Sequence, residues 1–222
     1  MSYTTHADLG GQAGHGRIVA EPEGELWHAA WEPRAMALTV AMGATGAWNI
    51  DMSRSARETL PHYAELSYYE IWFEALQKLL IEHRLLRRAE LSRGRSIDAP
   101  LPLARVLRAE AVPATLARGS PTERGASAAA RFALGDKVRM HPQVATHHTR
   151  LPGYVRGKVG VIERVHGAHV FADTHAHGLG EQAQWLYTVV FDASALWPDA
   201  GTAGDRVSVD AWEPYLEAAG TL

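Results

Sequence analysis

The chain has 222 residues, 46% hydrophobic and 21% charged, with a net charge of −3 and no cysteine. That composition is globular and long enough for one large domain or two small ones. It excludes disulfides and thiolate metal ligands from this polypeptide, and it lacks the positive field that nucleic acid attracts. No run of about 18 apolar residues occurs and MSYTTHADLGG lacks a basic-then-apolar signal, so no membrane partner and a cytoplasmic location are expected.

Residues 1–25 are glycine-rich and weakly apolar, and are expected to form an extended arm lying on another surface. Residues 26–91 are expected to form a helical domain. Trp27 and Trp31 are one helical turn apart, Pro33 suits a first turn, and Gly43 and Gly46 suit a stop. In NIDMSRSARETLP, Asp51 is expected as N-cap, Ser55 with Glu58 has capping-box spacing, and Pro61 ends the helix. Arg54 and Arg57 lie three apart on one side of it. From His62 to about Arg88 the pattern is helical with two apolar stripes. One carries Tyr69, Phe73, Leu76 and Leu80; the other carries Tyr68, Trp72 and Leu79. So wide an apolar face predicts contact with both a core and a partner chain.

Residues 92–131 read as a linker rich in Pro, Ala, Arg, Gly and Ser, with a short helix expected near Leu103–Glu110. From Phe132 onward short alternating runs predict strands: FALGDKVRM, GKVGVIERV, HVFAD, WLYTVVF and RVSVDAWEPYL. Residues 132–222 are therefore expected to form a small β-barrel domain. The fold class is α+β: arm, helical domain, then barrel.

No nucleophile elbow, phosphate loop or dinucleotide fingerprint occurs. The loop DTHAHGLGE brings His175 and His177 near Asp173, but no third ligand follows at a firm spacing, so it is read as a solvated loop and not as a metal site. Four arginines invite an anion: Arg54, Arg57, Arg150 and Arg156. A surface pair with Glu58 would explain Arg54, and a solvated face would explain Arg57 and Arg156. Arg150, in HHTRLPG, sits in an expected loop from which a planar fork can be presented. Tyr68 and Trp72 read either as core or as the half-apolar wall of a pocket.

Several stretches in order resemble the β subunit of nitrile hydratase. They are GG-x-x-G-x-G in the arm, the Trp-Glu of the first helix, SYYEIW, HTR-x-P-x-YVR-x-K-x-G, GLGE, LYTV-x-F and D-x-WEPYLE. The resemblance leaves only the linker unanchored. It implies an SH3-like C-terminal barrel and an α-subunit partner, as an αβ heterodimer or α2β2 tetramer. It implies a Co(III) or Fe(III) ion held by oxidised cysteines of that α subunit and not by this chain. The implied reaction hydrates a nitrile to an amide. By the same resemblance Arg150 and Arg54, with Arg57 as substitute for Arg54, hydrogen-bond the oxidised cysteines. Tyr68, Trp72 and Ile50 then line the substrate pocket. Arg17 departs from the family pattern, where Pro is usual. The competing reading is a binding or scaffold module, or an activator subunit of a related complex such as thiocyanate hydrolase. A stand-alone His-dependent metalloenzyme is a third.

Overall fold

In a computed structural model, residues 5–199 and 201–220 are described. Residues 1–4 of the expected arm and residues 200, 221 and 222 of the expected barrel lie outside them. The chain divides into two compact units. One contains Ala13–Ser120 with residues 5–7; the other contains Asp8–Gln12 with residues 121–220.

Among the described residues the helical unit has five α-helices: α1 (Glu32–Gly43), α2 (Ile50–Glu58), α3 (Tyr68–Glu82), α4 (Arg88–Arg93) and α5 (Val112–Arg118). Pro33 lies in the first turn of α1, as its fixed φ favours. The cap of α2 differs from expectation. Asn49, not Asp51, is the N-cap; its side chain accepts from the N–H groups of Asp51 and Met52 at 3.0 and 2.9 Å. Asn49 offers an acceptor oxygen two residues earlier, so Ser55 and Glu58 fall inside the helix. The third helix is shorter than its periodicity predicts. Glu70 accepts from the Ser67 N–H at 2.8 Å and starts it there, behind a short 3₁₀ turn at Tyr63–Glu65. It stops at Glu82, and Arg84 adopts a left-handed φ of 59°. Within the expected linker the helix forms at Val112–Arg118 rather than 103–110, with Pro113 in its first turn. The core of this unit is Trp48, Ala56, Leu60, Ala75, Leu76 and Leu79.

The second unit is an antiparallel sheet. Its strands are β1 (Glu123–Arg124), β2 (Lys137–Met140), β3 (Val159–His169), β4 (Gln184–Asp192), β5 (Arg206–Trp212) and β6 (Leu216–Ala218). Two short helices, α6 (Ala172–His175) and α7 (Ala193–Leu196), interrupt it. The strand order is β5-β4-β3-β2-β6, with β1 paired to β3. Among the described residues the sheet is an open path, because its end strands β5 and β6 do not pair. Alternation drives the burial: in β2, Val138 and Met140 are buried while Lys137 and Arg139 are exposed. A Cβ on Gly160 would lie 2.6 Å from Val189 Cγ1, so only glycine lets β3 approach β4 there. Register shifts between Ile162 and Arg164 and between Val165 and Gly167 bend β3. Met140, Ile162, Tyr187, Val189 and Phe191 centre the core.

Candidate functional site

The predicted residues fall on both units. In the helical unit, α2 carries Ile50, Arg54 and Arg57. Positions four and seven apart share a helix face, so Ile50 lies on the side of both arginines. Ile50 is 47% exposed. Arg54 pairs with Asp51 at 3.1 Å and keeps 45% of its side chain exposed. This ion pair replaces the expected one with Glu58, because Asp51 is one turn earlier and buried. Arg57 is not on a solvated face. Its guanidinium carbon lies 4.3 Å from the centroid of the Trp72 ring. One of its N–H groups donates to Ser53 Oγ at 3.1 Å, and its buried Nε has no hydrogen-bond partner. Burial lowers its pKa; Tyr68 opposes that, and neighbouring Arg54 adds to it.

The aromatic residues of α3 meet this cation. The Tyr68 and Trp72 rings are 5.6 Å apart, and Tyr69 is edge-on to Tyr68 at 5.0 Å. Trp27 lies 5.1 Å from Tyr69 and fixes it from the other side. Tyr68 is 63% exposed, whereas Ala75, Leu76 and Leu79 further along α3 are buried. The helix thus packs through its second half and presents aromatic surface from its first. Arg57, Tyr68 and Trp72 are brought together. A cavity of about 1130 Å³ elsewhere in this unit is lined by residues 81–101, none of them a predicted site residue.

In the sheet unit, Arg150 lies with its side chain exposed in the irregular segment between β2 and β3. Its backbone N–H donates to the Tyr215 hydroxyl at 3.0 Å. That hydroxyl in turn donates to the Asp173 carboxylate. Asp173 opens α6 and is buried; His147 Nδ1 lies 3.9 Å from it. Burial raises the Asp173 pKa, against the hydrogen bond from Tyr215, the charge of His147 and the Thr149 hydroxyl. Burial, then the Asp173 charge, raises that of Tyr215. The buried His148 donates its backbone N–H to His177 Nε2 at 3.2 Å. The histidine-rich loop is therefore scaffolding for the 147–150 segment. No group of three or more His, Cys, Asp or Glu among the described residues is placed to hold a metal.

The segment is also held from the far side. Asp8 accepts from the Gly153 N–H at 3.0 Å and from Arg156 at 3.4 Å. Arg156 also donates to the Leu151 carbonyl at 3.1 Å, so it is a clamp and not a solvated cation. Beside it the arm lies against a stacked pair, Tyr154 and Trp197, 5.5 Å apart. A Cβ on Gly11 would be 2.5 Å from Trp197 Nε1, so the glycine is required by contact and by its φ of 75°. This part of the arm docks on its own chain, while residues 13–20 are exposed.

Sequence reading missed Tyr215, Asp173 and Asp8 as partners of the arginine loop. The only signal was that Tyr215 and Asp173 sit in the WEPYLE and DTHAHGLGE motifs.

Two family descriptions match almost the whole chain. "Nitrile hydratase beta subunit, N-terminal" covers residues 3–115 and "Nitrile hydratase beta subunit, C-terminal" covers residues 121–218. The chain is 36% identical to the low-molecular weight cobalt-containing nitrile hydratase subunit beta of Rhodococcus rhodochrous, over 94% of this chain and 96% of that one. It is 36% identical to the nitrile hydratase subunit beta of Pseudomonas putida, over 96% of this chain and 98% of that one. It is 33% identical to the thiocyanate hydrolase subunit alpha of Thiobacillus thioparus, over 43% of this chain and 78% of that one.

Proposed function

The chain belongs to the nitrile hydratase β-subunit family, and from that premise we propose that it works with a cysteine-bearing α chain to hydrate nitriles to amides. We assign the metal, Co(III) or Fe(III), to the α chain, because this polypeptide has no cysteine that could be oxidised to hold it. A cobalt ion is favoured by the name of the Rhodococcus rhodochrous relative.

The observation that carries the reading is the pinned loop of Arg150. An arginine at an exposed position, on a backbone held by a part-buried hydrogen bond to Tyr215, is suited to meet an anion on another polypeptide. Oxidised cysteine oxygens of the partner suit its planar fork, through charge-assisted bonds worth about 1.5–3 kcal/mol. Arg54 is the second such group, since its exposed side chain can reach outward, with Arg57 the substitute one turn on. Ile50, Tyr68 and Trp72 supply the pocket wall, apolar body toward Trp72 and Ile50, polar head toward the Tyr68 hydroxyl. When bound, the metal would supply the activation of nitrile or water; the residues of this chain orient and hold.

The same reading takes the sheet as an SH3-like barrel, supported by its short strands, antiparallel order and bulges. It takes the assembly as an αβ heterodimer or its doubled tetramer in the cytoplasm. Exposed arm residues such as Ile18 and Val19 lie against the α chain. Co-expression with an α chain carrying a Cys-rich metal loop tests the proposal. Metal content and amide formation from a simple nitrile are expected in the complex, with neither in this chain alone. The thiocyanate hydrolase relative favours a second reading, and hydrolysis of thiocyanate without nitrile hydration would establish it.

A further inference from the structure

We propose that Tyr215 and Asp173 are positioning residues for Arg150, and the proposal rests on the reading of Arg150 as an anion-holding group. Arg150 stands in no helix or strand, so no ladder of backbone bonds fixes its direction. Yet a fork donor must be aimed within fractions of an ångström to make two directed bonds. Its backbone N–H is taken by the Tyr215 hydroxyl at 3.0 Å, 65 residues away in sequence. Tyr215 is itself immobilised. It is 5% exposed, with the Phe171 and Trp212 rings 5.7 and 6.1 Å away.

A tyrosine hydroxyl has one proton to give. Here it goes to Asp173, which leaves the oxygen lone pairs turned toward the Arg150 N–H. Asp173 thus sets the polarity of the chain N–H to hydroxyl to carboxylate, and each bond strengthens the next. A buried carboxylate is a costly way to hold a loop if packing is all that is required. His147 Nδ1 stands 3.9 Å from it on a half-exposed side chain. The carboxylate's best contact is the tyrosine, which fits a role in orienting that hydroxyl. Neighbouring contacts support the same short stretch: Leu151 N–H donates to Thr149 Oγ1 at 3.2 Å, and Arg156 holds the Leu151 carbonyl.

The test uses the assembled, metal-loaded αβ complex with Arg150→Lys, Tyr215→Phe, Asp173→Asn and the Arg150→Lys/Tyr215→Phe double variant. Tyr215→Phe keeps the ring and deletes the buckle. It should lower kcat about tenfold to a hundredfold with KM and metal content unchanged, as misplacement of a group does. The visible absorption of the metal centre should shift in the same sense as in Arg150→Lys. The double variant should be no slower than Arg150→Lys, because Tyr215 acts through that side chain. Asp173→Asn keeps an acceptor but loses the charge, and should fall between wild type and Tyr215→Phe on both readouts. An impaired Arg150→Lys beside a Tyr215→Phe of full kcat and unshifted absorption overturns the proposal alone. A silent Arg150→Lys overturns the reading of Arg150 and the proposal with it. If Tyr215→Phe does not assemble, an Asp173→Asn complex with wild-type kcat and absorption overturns the proposal.

Discussion

The helical unit and the sheet unit put their functional candidates forward by different physics. On α2 and α3 the backbone is fixed by the helix itself, and side chains are aimed by spacing alone. Arg57 reaches Trp72, and Tyr68 reaches Trp72, because each helix holds its residues at fixed intervals. In the sheet unit Arg150 stands on irregular chain, and its aim depends on groups from residues 8, 173 and 215. The helix-borne candidates are placed by local backbone geometry, whereas the loop-borne Arg150 is held through hydrogen bonds from residues distant in sequence.

The sharpest way to break that contrast is at Arg150 itself. Arg150→Lys should lower kcat by about ten- to a hundredfold, because lysine keeps the charge but has no planar fork. The complex should still assemble with full metal content. Rates on a simple nitrile, with metal analysed alongside, check it; an unchanged kcat removes Arg150 from the site.

On the helical side Arg54→Lys and Arg57→Lys should separate. Three residues on a helix leave side chains about 60° apart, so both do not serve the same oxygens. Arg54→Lys should follow Arg150→Lys, within the roughly 1.5–3 kcal/mol of a charge-assisted bond. Arg57→Lys loses its stacking on Trp72, worth about 0.5–2 kcal/mol, and should act on KM more than on kcat. Steady-state kinetics on both variants decide it, and the reverse pattern would exchange their roles.

This division explains what the sequence made legible. The helices at Glu32, Ile50 and Tyr68, most strands from Lys137 onward and the meeting of Tyr68 with Trp72 follow from periodicities of 3.6 and 2, but HVFAD, expected as a strand, leaves β3 at His169 and enters α6 at Ala172. Helix ends followed less well, because Asn49 caps α2 two residues before the expected Asp51 and Ser67 starts α3 well after His62. The histidine-rich loop at 173–181 reads, by residue type alone, as a solvated loop. The fold uses its Asp173 and His177 as acceptors for a tyrosine and a backbone amide. Such use depends on pairings across 29 and 42 residues, which no local pattern encodes. Asp8 on Gly153, 145 residues apart, is the extreme case.

A smaller effect sharpens the pocket wall. Trp72→Ala should raise KM most for aromatic nitriles, by about 1–2 kcal/mol at roughly 25 cal/mol per Å² of lost contact. Tyr68→Phe should act more evenly across substrates, since a hydroxyl meets the shared polar head. If Trp72→Ala leaves every KM unchanged, its ring is packing for Arg57 and nothing more.

The smallest expected effect is on stability, and there the two units carry carboxylates of opposite sign. Glu90, in the first turn of α4, accepts from the N–H groups of Ile97 and Arg87 at 2.8 Å each and of Asp98 at 3.3 Å. Those bonds favour the ionised form and hold its pKa down to about 2, from an ordinary 4.5. The folded state therefore binds fewer protons there than the unfolded chain. Its contribution is full above pH 4.5 and is lost as pH falls through about 2. Asp173 has the reverse sign. Burial raises its pKa above the ordinary 3.8, so the folded state binds more protons, and its contribution is lost as pH rises through the folded value. Glu90→Gln should flatten the acid loss of protection around residues 87–98. Asp173→Asn should instead remove a gain on acidification around residues 147–151. Peptide-resolved hydrogen exchange of the intact chain, corrected for the intrinsic pH dependence of exchange, reads both in one experiment. A Glu90→Gln profile as steep as wild type would mean that the 87–98 turn draws its stability from packing, not from its buried carboxylate.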